Sequence, residues 1–258
     1  MGDWNPALYS RFEDERTRPA AELLARVHLE VPQTVVDLGC GPGNSTELLV
    51  QRYPAARVVG TDVSEAMLAT ARKRLPAITF EHSDIATWSP ALQADLVFAN
   101  AALQWIPQHE TLLPRLVDRV APGGVLAVQM PDNLDEPSHR LMRETAAEPR
   151  FAAAIGDAAN LRARILGAQA YYDLLVTDAE VDIWRTTYYH RMDDAAAIVQ
   201  WLRATGLRVF LDPLSNSAQA EFLQAYQQRI ELAYPARSDG KRLLAFPRLF
   251  IVARKRGG

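Results

Sequence analysis

The chain has 258 residues, 48% of them hydrophobic and 23% charged, ordinary proportions for a globular protein and enough for one substantial α/β core with insertions. A formal net charge of −3 supplies no positive field to gather nucleic acid or an anionic membrane. Cys40 is the only cysteine, which rules out an intramolecular disulfide, a redox pair and a thiolate zinc site and fits a reducing, cytoplasmic setting.

The opening segment alternates acidic and basic residues and lacks the apolar stretch of a signal peptide, so it reads as part of a soluble, unprocessed chain. Leu8 to Val27 carries apolar residues at near-helical spacing, with Pro19 placed to open a second helix. From Thr34 the pattern turns to short apolar runs: Thr34 to Leu38, Arg57 to Thr61, Ile78 to His82, Ala94 to Ala99 and Gly124 to Met130. Helical stretches fall between them, at Ser45 to Tyr53, Ala66 to Leu75 and Thr111 to Val120, as successive βα units of a parallel sheet require. Right-handed crossovers make that sheet doubly wound. Beyond Met130 the rhythm breaks into helix and loop, including Ser138 to Ala147 and Leu161 to Tyr172. Glu180 to Met192 then reads as a strand, Asp193 to Tyr234 as helix, and Phe246 to Lys255 as a last strand buried on both faces. The expected architecture is a single α/β domain over 1–258. Its βα core covers about 30–130, and helical insertions at about 131–180 and 193–240 are placed to cap the carboxyl edge of the sheet, where ligands bind in such folds.

Val35-Val36-Asp37-Leu38-Gly39-Cys40-Gly41-Pro42-Gly43-Asn44 is a buried strand running into a glycine-rich turn, with Asn44, Ser45 or Thr46 available to cap the helix that follows. The third glycine comes one position too early for the dinucleotide fingerprint, and Pro42 removes a backbone donor that a phosphate would want. The next strand ends at Asp62, 21 residues beyond Gly41, where a carboxylate can accept both hydroxyls of an adenosine ribose. The competing role for Asp62 is to cap the helix from Ala66, although Ser64 fills that role as well.

With Asp84 after the third strand, Asn100 after the fourth and the Ala121-Pro122-Gly123-Gly124 turn before the fifth, these motifs resemble the class I S-adenosylmethionine-dependent methyltransferases over about half the chain. The resemblance implies a seven-stranded, mostly parallel sheet and S-adenosyl-L-methionine as cofactor, leaving S-adenosyl-L-homocysteine, with no metal. It places Asp37, Gly39 and Gly41 near the amino-acid end of the cofactor, Asp62 at the ribose, and Asp84, Ile85 and Met67 at the adenine, with Val63 and Asn100 also among the cofactor contacts. The turn at Asn100 lacks the proline pair of the enzymes that methylate exocyclic amines of DNA bases, which argues against a nucleic-acid substrate.

The similarity extends further, to the trans-aconitate methyltransferase family. Asp3-Trp4-Asn5-Pro6 with Tyr9, Phe98 to Trp105, Ala127 to Asn133, Val181 to His190 and Leu244 to Arg254 carry it, and Arg150 to Arg164 fits least well. The implied substrate is a small tricarboxylate, with no membrane or obligate protein partner. Its carboxylates are ionised at neutral pH, with reference pKa values near about 4, so transfer to a carboxylate oxygen calls for alignment and desolvation and no general base is expected. Holding the remaining carboxylates calls for arginine forks and tyrosine hydroxyls. Arg185 with Tyr189, the Tyr171-Tyr172 pair and Arg248 are the expected contacts, and His190 is read as structural. Tyr9 and Arg18 on the first helix are placed to close over the cofactor, and Trp105 and Gln129 to position the reacting centre. Rival readings are a methyltransferase for another small acid or a hydroxyl, a nicotinamide-dependent oxidoreductase, and a module that binds the cofactor without catalysis.

Overall fold

The computed structural model describes residues 13–203 and 206–257, with side chains from residue 17 onward. Its first element, α1 (Glu13–Ala25), contains Pro19 in its interior. The expected helix start at Pro19 is therefore corrected: the helix runs through it at the loss of one backbone hydrogen bond.

The strands are β1 (Thr34–Leu38), β2 (Arg57–Asp62), β3 (Thr79–His82), β4 (Ala94–Asn100), β5 (Val120–Pro131), β6 (Ala179–Met192) and β7 (Arg242–Lys255). They form one sheet in the order β3-β2-β1-β4-β5-β7-β6, with β1 to β5 parallel to their neighbours. The chain leaves β1 toward one edge, then crosses to β4 on the other side. The crevice where this order reverses lies between the loops after β1 and β4, which is where open α/β sheets bind ligands. Intervening helices are α2 (Asn44–Arg52), α3 (Glu65–Arg74) and α4 (His109–Asp118).

Apolar residues of β1, β4 and β5 build the core with α4: Val36, Leu38, Val97, Ala99, Leu126 and Val128 pack with Leu112, Leu113 and Leu116. Strand starts are fixed by polar ties, since the Gln33 and Thr34 N–H groups both donate to Asp95 Oδ2 at 2.7 and 2.9 Å. Gly60 exists because β3 lies so close: a Cβ there would meet the Phe80 ring at 2.6 Å.

The chain divides into two compact units, the first comprising 1–131, 165–186 and 249–258 and the second 132–164 and 187–248. The second unit has its own core. Its helices are α5 (Pro137–Ala146), α6 (Pro149–Ile155), α8 (Ala195–Arg203), α9 (Arg208–Leu211) and α10 (Asn216–Ala233), while α7 (Ala168–Leu175) belongs to the first. Phe151 meets Phe222 edge-on at 5.2 Å, and the Tyr226 hydroxyl donates to Ser138 O at 2.7 Å. The expected helix over Leu161 to Tyr172 is corrected to an irregular segment followed by α7, which starts after Gly167. Among the described residues no helix is long and apolar enough to cross a membrane.

Candidate active site

The turn after β1 is docked on β2, because the Gly39 and Cys40 N–H groups both donate to Thr61 O at 2.8 and 2.9 Å. Gly39 has a φ of +69°, and a Cβ there would lie 2.5 Å from that of Ala102. Gly41 also has positive φ, +56°, but faces open space, with no atom within 4 Å of where a Cβ would stand. One glycine thus closes the core and the next leaves room for a ligand against bare backbone. Burial pushes the Cys40 thiol well up, with Asp37 and Asp62 adding to the rise, so it stays protonated and unreactive.

Asp62 joins this turn to the next loop. Its Oδ2 accepts from the Gly41 N–H at 2.9 Å and its Oδ1 from the Ser64 N–H at 2.8 Å. Each oxygen of a carboxylate accepts more than one hydrogen bond, so two backbone donors orient it without disqualifying it as a ribose acceptor. Ser64 is the helix cap, accepting from the Met67 N–H at 3.3 Å. Met67 is buried while Val63 is 61% exposed, so of the two it is Val63 that offers apolar surface.

Asp37 is fully buried, and its Oδ2 accepts from the hydroxyls of Ser45 and Thr46, each at 2.7 Å. Neither hydroxyl caps α2; the cap position is Gly43, at φ 92° with no side-chain bond. That corrects the expected capping role of Asn44, Ser45 and Thr46: the buried carboxylate needs hydroxyl donors more than the helix end does. Burial raises Asp37 to about 6, the two hydroxyls pulling it down and Asp62 adding a further rise. Asp37 Oδ1, Asn44 Oδ1 and Asn100 Oδ1 are buried acceptors with no hydrogen-bond partner among the described residues. Buried acceptors left this way fit a ligand that brings donors, such as the ammonium of an amino acid.

After β3, Asp84 is exposed and its Oδ1 accepts from the Ala86 N–H at 2.8 Å. Ile85 is buried behind it, and its Cδ1 would lie 3.4 Å from a Cβ on Gly39. The loop is pinned from below by Arg115 of α4, which donates to Trp88 O at 2.7 Å, Ile85 O at 2.9 Å and Ala86 O at 2.8 Å. No sequence motif pointed to Arg115. Arg115→Met, which keeps the apolar stem but removes three charge-assisted bonds, is expected to lower affinity for an adenine-bearing ligand about tenfold with little change in global melting; equilibrium binding and thermal unfolding of the variant check this.

At the end of β4, Ala101 has a φ of +53°, rare for a residue with a side chain. Two bonds hold it there: its N–H donates to Gln129 O at 2.9 Å and its carbonyl accepts from Gln104 Nε2 at 2.7 Å. The following 3-10 turn, Leu103–Trp105, carries the half-buried Trp105. It is anchored by His109, whose Nε2 bonds to Leu103 O at 2.9 Å and whose Nδ1 bonds to the Tyr171 hydroxyl. Tyr171 is fully buried, and its hydroxyl also accepts from the Leu166 N–H at 3.1 Å. The expected substrate contact at Tyr171 is therefore corrected: its phenol is engaged inside the core of the first unit.

The other expected contacts are dispersed. Tyr9 lies outside the described residues. Arg18 stands on exposed helix surface, bonded to Glu22 at 2.8 Å. Tyr172 is 47% exposed in the first unit, and Arg185, of the same unit, is exposed on β6. In the second unit Tyr189 is exposed, whereas Arg248 is buried with its guanidinium 4.9 Å from the Phe246 ring centre. His190 is buried against Trp201 at 4.6 Å and Phe246 at 5.8 Å, in keeping with a structural role. Gln129 is fully buried on β5.

Comparison with known proteins follows the same lines. A family model described as a methyltransferase domain matches residues 35–124, from β1 into β5. The chain is 65% identical over 258 residues to the trans-aconitate 2-methyltransferase of Methylobacterium radiotolerans, covering 99% of both chains. It is 64% identical to that of Variovorax paradoxus, over 99% of this chain and 100% of the other, and 59% identical to that of Yersinia pseudotuberculosis, over 98% of each. Among solved structures, the YcgJ protein of Bacillus subtilis superposes with a TM-score of 0.59 at 11% identity, over 93% of this chain and 100% of that one. Phosphoethanolamine N-methyltransferase 2 of Haemonchus contortus, in complex with S-adenosyl-L-methionine, gives 0.54 at 16% identity, over 93% of this chain and 52% of that one. Both structural likenesses are of fold.

Proposed function

Since the chain belongs to the trans-aconitate 2-methyltransferase family, we propose that it transfers the methyl group of S-adenosyl-L-methionine to a carboxylate oxygen of trans-aconitate, forming a monomethyl ester. The observation that carries this reading is 65% identity over 99% of both chains to an enzyme of that name. The glycine turn, the Asp62 carboxylate fixed at the end of β2 and the unpartnered buried acceptors of Asp37, Asn44 and Asn100 support the cofactor half of it independently.

When bound, the cofactor supplies a methyl group activated by its positively charged sulfur. Asp37 in β1, with Asn44 at the start of α2 and Asn100 at the end of β4, would receive the ammonium donors of its amino-acid portion. Asp62 would accept from the ribose hydroxyls, and the loop of Asp84 and Ile85 with exposed Val63 would take the adenine. Trp105 and Gln129, on the turn after β4 and on β5, position the acceptor and keep water out. The acceptor is already an anion at neutral pH, so these residues work by alignment and desolvation and no side chain has to remove a proton. Arginines and tyrosine hydroxyls would hold the carboxylates that do not react, and in the first unit Arg185 and Tyr172 are the candidates for that task. The test is methyl transfer to trans-aconitate between about pH 6.5 and 9, well above carboxylate pKa values. A base-labile monomethyl ester formed at a pH-independent maximal rate supports the reading, and no ester, or a rate that rises with deprotonation of a neutral acceptor, overturns it.

Asp37 gives the cofactor step its own pH dependence. A bound cation favours the ionised carboxylate, whose folded value is raised from 3.8 to about 6. Cofactor affinity is therefore fully present above about pH 6 and is lost as pH falls through it. Stability of the ligand-free protein moves the other way: a carboxyl raised on folding contributes more as pH falls from about 6 toward 4, where the folded state holds the extra proton. Titration calorimetry from about pH 5 to 8 checks the first trend, and Asp37→Asn is expected to bind weakly at every pH with the dependence flattened.

A further inference from the structure

Among the described residues, Ala101 and Gln108 alone combine a side chain with positive φ, at 53° and 62°. They bracket the loop that leaves β4, carries Trp105 and enters α4. Such backbone is disfavoured wherever a Cβ is present and persists only where its surroundings enforce it. We propose that His109, the first residue of α4, is a positioning residue for methyl transfer, holding this loop and with it Trp105 in place through a hydrogen bond to the Leu103 carbonyl.

The imidazole is buried within the first unit. Its Nε2 lies 2.9 Å from Leu103 O, and a carbonyl oxygen can only accept, so Nε2 carries the proton. In a neutral ring Nδ1 is then the acceptor, and the Tyr171 hydroxyl, 2.5 Å away, donates to it. The phenol oxygen in turn accepts from the Leu166 N–H at 3.1 Å. The donors thus run one way, from Leu166 through Tyr171 and His109 to the carbonyl of the turn. The other tautomer would set the Nε2 lone pair against the carbonyl oxygen, so the hydroxyl on one side of the ring selects the donor on the other. Leu103 O also accepts from the Ile106 N–H at 2.9 Å, the bond that closes the 3-10 turn. With both lone pairs engaged, the carbonyl is fixed in direction as well as in place. One residue earlier, Ala102 closes on Gly39 of the first turn. Slack at Leu103 therefore falls on the residues after it, Trp105 foremost, rather than on the glycine turn.

That Trp105 aligns the methyl acceptor rests on the function proposed above; the hydrogen-bond chain does not. Two substitutions divide the imidazole. The amide of His109→Gln reaches the place of Nε2 and can donate to Leu103 O, whereas the shorter amide of His109→Asn reaches only the place of Nδ1 and can accept from Tyr171. With the full chain, kcat and KM for trans-aconitate, affinity for S-adenosyl-L-methionine and thermal unfolding are measured on both. His109→Asn is expected to lose about thirtyfold in kcat and His109→Gln about threefold, the scale on which misplacement away from the chemistry acts, with cofactor affinity within about threefold of wild type. Both lose one buried hydrogen bond, so their melting temperatures should fall together. Equal kcat losses in the two variants, losses that track melting temperature, or a loss carried wholly by KM overturn the proposal. Nitrogen NMR of wild type labelled in histidine, with His109 assigned by its absence from the glutamine variant, reads the chain without the reaction. A single Nε2–H tautomer is expected, and Nδ1–H or a mixture overturns the proposal even where the variants fold poorly. Wild type that binds cofactor and forms no ester counts against the proposed reaction, and the nitrogen spectrum then decides the chain at His109.

Discussion

Asp62→Ala is expected to weaken S-adenosyl-L-methionine binding by about two orders of magnitude, since it removes hydrogen bonds to a charged acceptor worth about 1.5–3 kcal/mol each. The carboxylate has two tasks. It faces the ribose in the proposed complex, and it already ties the Gly41 N–H of the first turn to the Ser64 N–H of the second loop. Alanine removes the ligand contact and leaves both backbone donors to find water, so the glycine turn loosens as well. Asp62→Asn separates these tasks, because its carbonyl oxygen can keep one backbone donor while the NH2 group in place of the other oxygen can accept neither from a backbone N–H nor from a ribose hydroxyl. Calorimetric titration should place the asparagine variant between wild type and alanine. Equal, near-wild-type affinities in both variants would remove Asp62 from the cofactor site.

Gly39→Ala is expected to cost about 2–5 kcal/mol of folding stability, combining overpacking with the left-handed backbone penalty. The new methyl would sit 2.5 Å from Ala102 Cβ at a φ of +69°, and Ala102 follows Ala101, itself held at positive φ. Neither backbone can yield without disturbing the turns after β1 and β4 together. Gly41→Ala is the contrast. Its φ of +56° carries a similar backbone penalty but its Cβ meets nothing within 4 Å, so it should cost about 1–2 kcal/mol while obstructing the ligand. Urea unfolding and cofactor binding on the two variants should therefore rank them oppositely: Gly39→Ala worse in stability, Gly41→Ala worse in binding relative to its stability. A Gly39 variant as stable as the Gly41 variant would contradict the packing account.

The parallel core was legible because its strands are buried runs with few alternatives. Thr34–Leu38 matches the expected strand residue for residue, and β2 to β4 agree within a residue at each end. Asp62 and the glycine turn were readable from spacing, since both sit where the backbone itself makes the site. What sequence could not show is which polar partner wins. Ser45 and Thr46 read as helix caps, yet a buried carboxylate eight and nine residues earlier claims both hydroxyls. Tyr171 read as a substrate contact, yet its phenol is spent on His109, 62 positions away in sequence. Arg115 gave no signal at all, because its three carbonyl partners lie in a loop 27 to 30 residues earlier and carry no side-chain signature. The segment over Leu161 to Leu166 misled for a related reason: its apolar residues have helical spacing, but Gly167 starts α7 beyond them.

In the proposed reaction this fold delivers a methyl group to a carboxylate of a small tricarboxylic acid. The most direct test of that reaction is transfer from labelled S-adenosyl-L-methionine to trans-aconitate, cis-aconitate, isocitrate, citrate and a simple phenol offered in parallel, with mass analysis of each product. A monomethyl ester is expected chiefly from trans-aconitate, cleaved by mild base, with the phenol untouched. Label appearing in the phenol, or in none of the acids while the cofactor binds, would contradict it.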